Sequence, residues 1–290
     1  MLFALKKIIK NGKVNRNECM AKHTSFKIGG RAKYFVEPAS VEELLDLLDY
    51  LKIKKKKHFI LGNGTNIVFT SNRYNGVVVS LCRLNQIRKY DGYIQVFAGV
   101  SLNRLCYFFK ELDLGGVEDA FGVPGSVGGA VVINAGAYNF EMKNVVLGVL
   151  AIVDGKVRYL TKEECGFGYR NSRLKGSVVI SVDINYTDGC NEIRMTEVMN
   201  MRKQNQPLDL PSAGSVFKRC DGVIVSKLLD EMGYKGTSVG GAMVSEKHAG
   251  FIVNSGGATS SDVKSLILGI KDRVKREKDI ELETEIEFVD

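Results

Sequence analysis

The sequence predicts an α+β fold, because amphipathic helices and short β-branched strands alternate along the chain without long linkers, repeats or low-complexity segments. The helices are recognised by a capping residue followed by an apolar stripe at helical spacing. The strands are short runs rich in Val, Ile, Tyr and Phe. With 290 residues, of which 44% are hydrophobic and 26% charged, the chain can bury a sizeable core.

Three helices are predicted. The first opens at the capping box Ser40-Val-Glu-Glu43 and ends near residue 52, the second opens at Ser101, and the third covers residues 261–275. Each carries an apolar stripe that is expected to face the core. The stripe residues are Val41, Leu44, Leu45 and Leu48 in the first helix, Leu102, Leu105, Cys106, Phe109 and Leu112 in the second, and Val263, Leu266, Ile267, Ile270 and Val274 in the third.

Strands are predicted at residues 58–61, 77–81, 93–98, 149–153, 157–160, 178–186 and 280–288. In the last of these, strict alternation puts Glu281, Glu283, Glu285 and Glu287 on one face. The pattern describes a solvated face with four equivalent acids, and by itself it selects none of them.

Charge and composition argue against several functions. The net charge is +8, but the densest basic run, residues 54–57, follows the first helix, where cations face the negative end of the helix dipole. The other cations are interspersed with acids and lack interleaved aromatic residues, so nucleic-acid binding is not expected. No apolar run approaches the roughly 20 residues that span a bilayer, and no signal peptide is evident, so a cytoplasmic protein without membrane attachment is expected. Six scattered cysteines and three histidines show no ligand spacing, which disfavours a metal site and a disulfide scaffold.

Three glycine-containing turns suggest a cofactor: residues 26–31, 61–66 and 122–129. Glycine allows positive φ and close approach of the backbone, and successive N–H groups in such turns form anion-binding nests suited to a diphosphate. The chain has neither a phosphate-binding loop that ends in Gly-Lys-Ser/Thr nor a Gly-x-Gly-x-x-Gly fingerprint in a βαβ unit. Each turn alone is weak evidence, whereas the three together favour a bound anionic cofactor.

The order of motifs resembles the UDP-N-acetylenolpyruvylglucosamine reductases, specifically their short, second type. The motifs that carry the resemblance are His23-Thr-Ser-Phe-Lys-Ile-Gly-Gly30, Leu61-Gly-Asn-Gly-Thr-Asn66, Gly122-Val-Pro-Gly-Ser-Val-Gly-Gly129, Asn134-Ala-Gly-Ala-Tyr138, Tyr169-Arg-Asn-Ser172, Pro211-Ser-Ala-Gly-Ser-Val-Phe-Lys218 and Val244-Ser-Glu-Lys-His-Ala-Gly-Phe-Ile-Val-Asn254. The span between Arg170 and Ser215 is short and leaves no room for the substrate-covering tyrosine loop of the longer type.

The resemblance implies the domain organisation. Residues 1–190 would form an FAD-binding region of the vanillyl-alcohol-oxidase (PCMH) type, with subdomains at about 1–80 and 81–190. Residues 191–290 would form an α+β domain that binds the UDP-sugar, with the C-terminal strand returning toward the active site.

It also implies the ligands: noncovalent FAD, NADPH as electron donor and a UDP-sugar enol ether as substrate. The implied cofactor-binding residues are Ile28, Leu61, Gly62, Asn63, Gly64, Thr65, Asn66, Gly122, Val123, Pro124, Gly125, Ser126, Gly128, Gly129, Asn134 and Gly136. A monomer that acts on small molecules is expected.

The implied catalytic residues are Arg170, Ser215 and Glu285, and the implied substrate-binding residues are Tyr169, Lys218, Arg219 and His248. Arg170 would stabilise negative charge that develops on the substrate carboxylate, and Ser215 would donate a proton to carbon 2. Glu285 follows from the closing motif of the family alone. The chain departs from many relatives at Asn205, where they have lysine, and at Arg219-Cys220, where they have Asn-Pro.

Two alternatives remain open from the sequence. The glycine turns also fit another FAD-dependent sugar or lactone oxidoreductase of the same superfamily, in which the motifs at Arg170 and Ser215 would have no evident use. The basic charge alone would suit a noncatalytic protein that binds nucleotides or nucleic acid; such a protein would be colourless and its binding to polyanions would weaken steeply with salt.

Overall fold

The computed structural model describes residues 1–220 and 222–290. These residues form two compact units. The first unit comprises residues 1–18, 33–63 and 75–200, and the second comprises residues 19–32, 64–74 and 201–290. The second unit therefore includes two early segments together with the C-terminal third of the chain. The sequence instead predicted a continuous division near residue 190, and the assignment of ligands to the two parts stays a prediction.

The helices have these bounds: α1 Leu2–Ile8, α2 Val41–Ile53, α3 Leu102–Glu111, α4 Val127–Val132, α5 Met142–Val145, α6 Glu192–Asn205, α7 Val225–Glu231 and α8 Ser260–Lys278. The strands are β1 Lys13–Cys19, β2 Arg31–Glu37, β3 His58–Leu61, β4 Ile67–Phe69, β5 Arg73–Ser80, β6 Ile87–Tyr90, β7 Tyr93–Phe97, β8 Leu114–Gly115, β9 Gly136–Ala137, β10 Phe140–Glu141, β11 Val146–Val153, β12 Lys156–Thr161, β13 Val178–Ile184, β14 Thr187–Asp188, β15 Ser212–Ser215, β16 Ser238–Val239, β17 Ala242–Val244, β18 Phe251–Asn254 and β19 Glu287–Val289. Helices and strands both occur along the whole length of the chain, with β3 to β7 and β16 to β18 as runs of successive strands, so the predicted α+β class is confirmed.

The first unit is built on two sheets that share one core. A four-stranded sheet has the order β1-β2-β5-β3, with β3 and β5 parallel, and an antiparallel five-stranded sheet has the order β12-β11-β13-β7-β6. Side chains from both sheets and from α2 and α3 meet in a single apolar cluster, which includes Leu44, Val79, Val96 and Phe109. This core supports the loops that carry the candidate site residues of the unit.

Helix α2 begins where predicted, but it buries a different face. Leu44, Leu47 and Leu51 are fully buried, whereas Val41, Leu45 and Leu48 are only partly buried. Ser40 caps the helix by accepting a hydrogen bond from the N–H of Glu43, as expected. The Glu43 carboxylate does not return to Ser40; it accepts hydrogen bonds from the N–H groups of Lys10, Asn11 and Ala39. Glu43 is thereby buried, and this rotates the helix relative to the predicted stripe.

Helices α3 and α8 largely follow the prediction. The inward residues of α3 are buried except Leu112, which is exposed because the helix ends at Glu111. All five predicted residues of α8 are buried. The helix is longer than predicted because Thr259 and Asp262 form a reciprocal capping box at its start, and Asp279 in the left-handed conformation closes its end.

The second unit contains an antiparallel sheet with the order β15-β18-β17-β16. Its apolar cluster combines α7 and α8 with Phe26, Ile28 and Val68 from the early segments. Strands β4 and β19 form a separate parallel pair. The early segments thus belong to this core through both packing and strand pairing.

The predicted strand 280–288 is wrong over most of its length, because only Glu287–Val289 form a strand. The chain changes neighbours at Glu285. Before this point the segment pairs with residues 216–218, through the bonds from Lys218 N to Glu283 O (2.9 Å) and from Glu285 N to Val216 O (2.7 Å). After it, Glu287 N bonds to Asn66 O, and β19 runs parallel to β4. A straight strand over residues 280–288 could not pair with both residues 216–218 and β4, so the chain bends between the two pairings.

In the described residues, no helix is both long enough and apolar enough to cross a membrane. Over the same residues, no cluster of His, Cys, Asp or Glu has the geometry to hold a metal ion. The six cysteines are all free.

Candidate active site

The candidate site residues lie in both compact units, and each set is positioned by the structure of its own unit. Turn residues 61–63 and 122–129, together with Asn134, Gly136 and the Tyr169–Ser172 loop, belong to the first unit. The second unit holds residues 64–66, Ser215, Glu285 and the candidate substrate contacts after residue 200.

In the first unit, the turn after β3 lies against the start of α4. A Cβ added to Gly62 would lie 2.3 Å from Ser126 Oγ, so no other residue type fits there without a shift. Ser126 caps α4 by accepting from Gly129 N at 3.4 Å. The predicted residues Leu61–Asn63 and Ser126–Gly129 therefore lie next to one another, although they are about sixty residues apart in sequence.

Residues 122–126 lead into α4 through a turn that requires glycine. Gly122 and Gly125 have φ of 78° and 140°, in the region that L side chains rarely adopt. The turn is tied down by Gly122 N, which donates to Asn103 Oδ1 at 2.7 Å, and by Val123 N, which donates to Ala120 O at 3.0 Å. The backbone before α4 is consequently fixed in one conformation.

The space available to a side chain differs between positions 128 and 129. Gly128 is buried, and an added Cβ would lie 2.7 Å from Ala98 Cβ. Gly129 is exposed, and the nearest atom to an added Cβ would be Ser126 Oγ at 3.4 Å, an ordinary contact. The protein itself does not require glycine at position 129, which leaves a bare stretch of backbone on the surface of the turn. Such a surface fits a cofactor held by backbone contacts, so the residues present are compatible with FAD.

The second unit positions the rest of the turn after β3. Gly64 has φ of 63°, and an added Cβ would lie 2.1 Å from His23 O. Asn66 donates from Nδ2 to the carbonyl oxygen of Glu285 at 3.0 Å. Ile28 is buried in the core of this unit, so its side chain packs internally and any cofactor contact would come from its backbone. The turn is thus joined directly to the bend that carries Glu285.

Arg170 lies in a tight loop of the first unit with φ of 52°. Its Nη2 donates to Gly136 O at 2.8 Å, and its guanidinium carbon lies 5.5 Å from the centre of the Tyr169 ring. Ser172 Oγ anchors the loop by donating to Val132 O at 2.7 Å. The predicted residues Tyr169, Arg170 and Gly136 therefore form one group.

Asn134 lies in the same group, but its side chain is completely buried. Nδ2 donates to Glu141 Oε2 at 3.0 Å and to Gly168 O at 2.9 Å, and Oδ1 accepts from Lys143 N at 2.9 Å. The side chain is therefore committed to internal contacts. No sequence pattern indicated Glu141, because a single acid in Phe-Glu-Met has no distinctive spacing.

In the second unit, Ser215 and Glu285 are brought together by their backbone neighbours. Ser215 ends β15 opposite Phe251, and the next residue, Val216, accepts the hydrogen bond from Glu285 N. Ser215 and Glu285 are both partly buried, whereas Glu281, Glu283 and Glu287 are exposed. The structure therefore distinguishes Glu285 from the three acids that the sequence pattern made equivalent.

His248 lies beside the strand partner of Ser215. Its ring makes an edge contact with Phe251 at 5.0 Å, and Nδ1 accepts a hydrogen bond from Gly250 N at 3.1 Å. Burial lowers the pKa of His248 below its ordinary value. A neutral ring that accepts at Nδ1 carries its proton on Nε2, so that nitrogen can donate a hydrogen bond to a ligand.

Lys218 and Arg219 follow Ser215 on the same segment. Lys218 Nζ is 2.5 Å from Glu283 Oε1 in a partly exposed ion pair, and Arg219 is exposed. The ion pair holds the lysine next to the segment that carries Glu285. Since such surface pairs contribute little to stability, the lysine can exchange this partner for an anionic ligand.

Comparison with known proteins first defines the class of fold. A family model described as an FAD binding domain matches residues 32–160. Two solved structures share the fold at a TM-score of 0.50: an alkyldihydroxyacetonephosphate synthase (15% identity; 64% of this chain and 40% of that chain) and a Phl p 4 variant, a glucose dehydrogenase (14% identity; 74% and 51%). The first part of the chain is therefore an FAD-binding domain, as the resemblance implied.

The remaining matches all point to one reductase family. The model of the UDP-N-acetylenolpyruvoylglucosamine reductase C-terminal domain matches residues 206–289. Reductases of that name from Caldanaerobacter subterraneus subsp. tengcongensis and Thermotoga petrophila are 44% and 43% identical, covering 98% and 93% of this chain and 96% and 97% of their own lengths. The crystal structure of the Thermus caldophilus enzyme matches with a TM-score of 0.82 at 33% identity, over 96% of this chain and 100% of that one. The chain belongs to the UDP-N-acetylenolpyruvoylglucosamine reductase family.

Proposed function

We propose that the chain reduces UDP-N-acetylenolpyruvylglucosamine to UDP-N-acetylmuramate, a step in the synthesis of peptidoglycan precursors, with NADPH as donor and noncovalent FAD as cofactor. The observation that carries the proposal is the full-length match to this reductase family, which includes both the FAD-binding domain and the C-terminal domain. Bound FAD supplies hydride transfer, by which electrons from NADPH reach the vinyl carbon of the enolpyruvyl group.

The backbone of residues 61–66 and 122–129 is proposed to hold the cofactor. The glycines of these turns either require positive φ, as at Gly122 and Gly125, or leave the backbone bare, as at Gly129. Glycines supply no positively charged side chain, so the diphosphate of FAD would be held by backbone N–H groups of these turns. Because no side chain is offered for covalent attachment in this proposal, FAD should be removable from the folded protein.

Arg170 is proposed to stabilise the carboxylate of the substrate when hydride addition places negative charge on it. Arginine carries a permanent positive charge, and the contacts of Arg170 with Gly136 and Tyr169 orient its guanidinium. A cation that is fixed before the reaction need not reorganise when the charge develops, which is the condition for strong electrostatic catalysis.

Ser215 is proposed to protonate carbon 2 of the enolate-like intermediate. A hydroxyl is a weak acid, so the transfer depends on the basicity of the enolate and on a short, fixed distance. Glu285 is held beside the Ser215 segment by the Val216 hydrogen bond and is proposed to orient the reacting groups there. Tyr169, Lys218, Arg219 and His248 are proposed to bind the substrate.

The partners are proposed to be small molecules only, and the protein is proposed to act as a monomer in the cytoplasm, where NADPH and UDP-sugars are available. A basic net charge of +8 supports attraction of both polyanionic substrates. Size-exclusion chromatography with light scattering tests the oligomeric state directly.

The proposal is tested by anaerobic spectroscopy of the purified protein at the flavin band near about 450 nm. NADPH should bleach the band, and addition of UDP-N-acetylenolpyruvylglucosamine should restore it. Bleaching without recovery would identify another FAD-dependent oxidoreductase, and a protein that takes up no FAD would contradict the proposal as a whole.

Replacement of Ser215 by alanine separates the two half-reactions. Ser215→Ala should leave bleaching by NADPH within about twofold of wild type and slow recovery by roughly three orders of magnitude, because only recovery needs the proton. Ser212→Ala, in the same strand, is the matched control and should change neither rate. Equal losses in both half-reactions would refute a proton donor at Ser215.

A further inference from the structure

The buried Asn134 joins two loops of the first unit. One is the hairpin of β9 and β10, in which Gly136 pairs with Glu141. The other is the Gly168–Asn171 turn, which carries Arg170. Asn134 reaches the hairpin through Glu141 Oε2 and reaches the turn through Gly168 O. Both amide protons are used, so the side chain works as a cross-link.

The acceptor on the hairpin is itself fixed and charged. Glu141 Oε2 also contacts Lys143 Nζ at 2.8 Å, and the N–H of Lys143 donates to Asn134 Oδ1. The hydrogen bond from Lys143, followed by that from Asn134 and by the nearby charge of Arg170, holds the pKa of Glu141 below its usual range despite partial burial. The carboxylate is therefore a stable anchor for the asparagine amide.

Arg170 depends on the same two loops. Its backbone is in the left-handed region, which a non-glycine residue keeps only where its surroundings require it. Its guanidinium bonds to Gly136 O on the hairpin, while its backbone belongs to the turn. A Cβ on Gly136 would lie 3.3 Å from Arg170 Nη1 and only 2.5 Å from Phe140 O, so the hairpin and the guanidinium are packed together closely.

We propose that Asn134 is a positioning residue for Arg170: by linking Glu141 on the hairpin to Gly168 in the turn, it sets the distance between the two loops that hold the guanidinium. This inference rests on the catalytic role proposed for Arg170. The inference commits the Asn134 side chain to internal contacts, whereas the cofactor contact implied for this residue stays a prediction, and it gives Gly136 the related role of admitting the guanidinium.

The first test is a double-mutant cycle on the recovery half-reaction. Asn134→Ala should slow recovery by about 10²-fold, the loss expected for a misplacement of about 1 Å, and should leave flavin reduction by NADPH unchanged. In an Arg170→Ala background the same substitution should slow recovery by less than about threefold, because its effect passes through Arg170. Asn139→Ala, on the exposed tip of the hairpin, is the matched control and should have no effect in either background.

Binding of FAD to the apoprotein separates this role from a cofactor contact. Asn134→Ala should leave the Kd for FAD within about threefold of wild type. The inference would be overturned if Asn134→Ala weakened FAD binding by about tenfold or more and slowed recovery equally in the wild-type and Arg170→Ala backgrounds. Asn134 would then be assigned to the cofactor site. Gly136→Ala gives a second variant with Asn134 intact, and it should reproduce the defect in recovery if the buried Asn134→Ala protein does not fold.

A catalysis-independent measurement keeps the two proposals distinguishable. The side-chain N–H signal of Arg170 in a ¹⁵N–¹H spectrum, assigned by its loss in Arg170→Lys, should shift and exchange faster with solvent in Asn134→Ala and Gly136→Ala. An unchanged signal would overturn the positioning role. A changed signal together with an Arg170→Ala protein that recovers at the normal rate would instead refute the catalytic role of Arg170.

Discussion

The first turn of helix α4 contains two adjacent glycines, Gly128 and Gly129, whose surroundings differ, and this difference predicts opposite results for the same substitution. An alanine at position 128 would place its Cβ 2.7 Å from Ala98 Cβ and 3.1 Å from the Ala98 backbone, in a fully packed place. An alanine at position 129 would meet Ser126 Oγ at 3.4 Å and open solvent otherwise. Both substitutions are Gly→Ala in one helix, so they share the same change in helix propensity.

The expected changes in the free energy of unfolding follow from this shared change in helix propensity. Gly→Ala in a helix stabilises by up to about 1 kcal/mol, and overpacking of a well-filled site destabilises by about 1–3 kcal/mol. Gly129→Ala should therefore leave the apoprotein as stable as wild type or slightly more stable. Gly128→Ala should be less stable than Gly129→Ala by about 1–3 kcal/mol, because the propensity change cancels in the comparison.

Binding of FAD should give the opposite order. If the bare backbone at position 129 approaches the cofactor, Gly129→Ala should weaken FAD binding at least about tenfold, or 1.4 kcal/mol, in a protein that is otherwise intact. The assays are urea unfolding of both apoproteins and fluorescence titration with FAD. The reasoning is refuted if Gly128→Ala is as stable as Gly129→Ala. It is equally refuted if Gly129→Ala binds FAD as tightly as wild type.

Two further predictions concern buried ionisable groups. Burial alone would raise the pKa of Glu43, but hydrogen bonds from the backbone N–H groups of Ala39, Asn11 and Lys10 outweigh it, and the net effect is a lowered pKa. Glu43→Gln should therefore reduce the free energy of unfolding by about 1–3 kcal/mol at neutral pH. The greater stability of the wild type should disappear as the pH falls through the folded-state pKa of Glu43. Glu42→Gln, at the exposed neighbouring position, is the control in urea unfolding, and an equal loss in both variants would contradict the role of the buried carboxylate. Burial lowers the pKa of His248, so below its ordinary value of 6.5 the unfolded chain takes up a proton that the folded protein does not, and stability should fall as pH falls. Unfolding measured from about pH 7.5 to about pH 5.5 should show a shallower decline in His248→Gln, and identical slopes would rule out this contribution.

Local sequence patterns predicted elements well where one feature decides the structure. The stripe of α8 has helical spacing over about three turns, and all five of its predicted residues are buried. In α2 the boundaries were correct but the buried face was not, because Glu43 is drawn inward by N–H groups from residues 10, 11 and 39. A helical pattern contains no information about hydrogen bonds from a segment thirty residues away.

The candidate site shows the same limit. The motifs indicated Ser215 and Arg170 by resemblance, but the alternation of residues 280–288 predicted a strand of which the structure contains only residues 287–288. The exchange of partners from residues 216–218 to β4 bends the chain at Glu285 and removes the equivalence of the four acids. The cofactor contact expected of Asn134 stays a prediction, and only the structure shows that the three hydrogen bonds of its side chain are all internal.

The sequence by itself determined the α+β class, the starts of α2, α3 and α8, the glycine turns and the family, because capping residues, apolar periodicity and ordered motifs are properties of short segments. Tertiary structure alone decided which glycine is required by packing and which is bare, which of four glutamates lies beside Ser215, and which loops hold Arg170. These properties depend on distances between segments far apart in sequence. Close packing and the pairing of buried polar groups fix those distances only when the whole chain has folded.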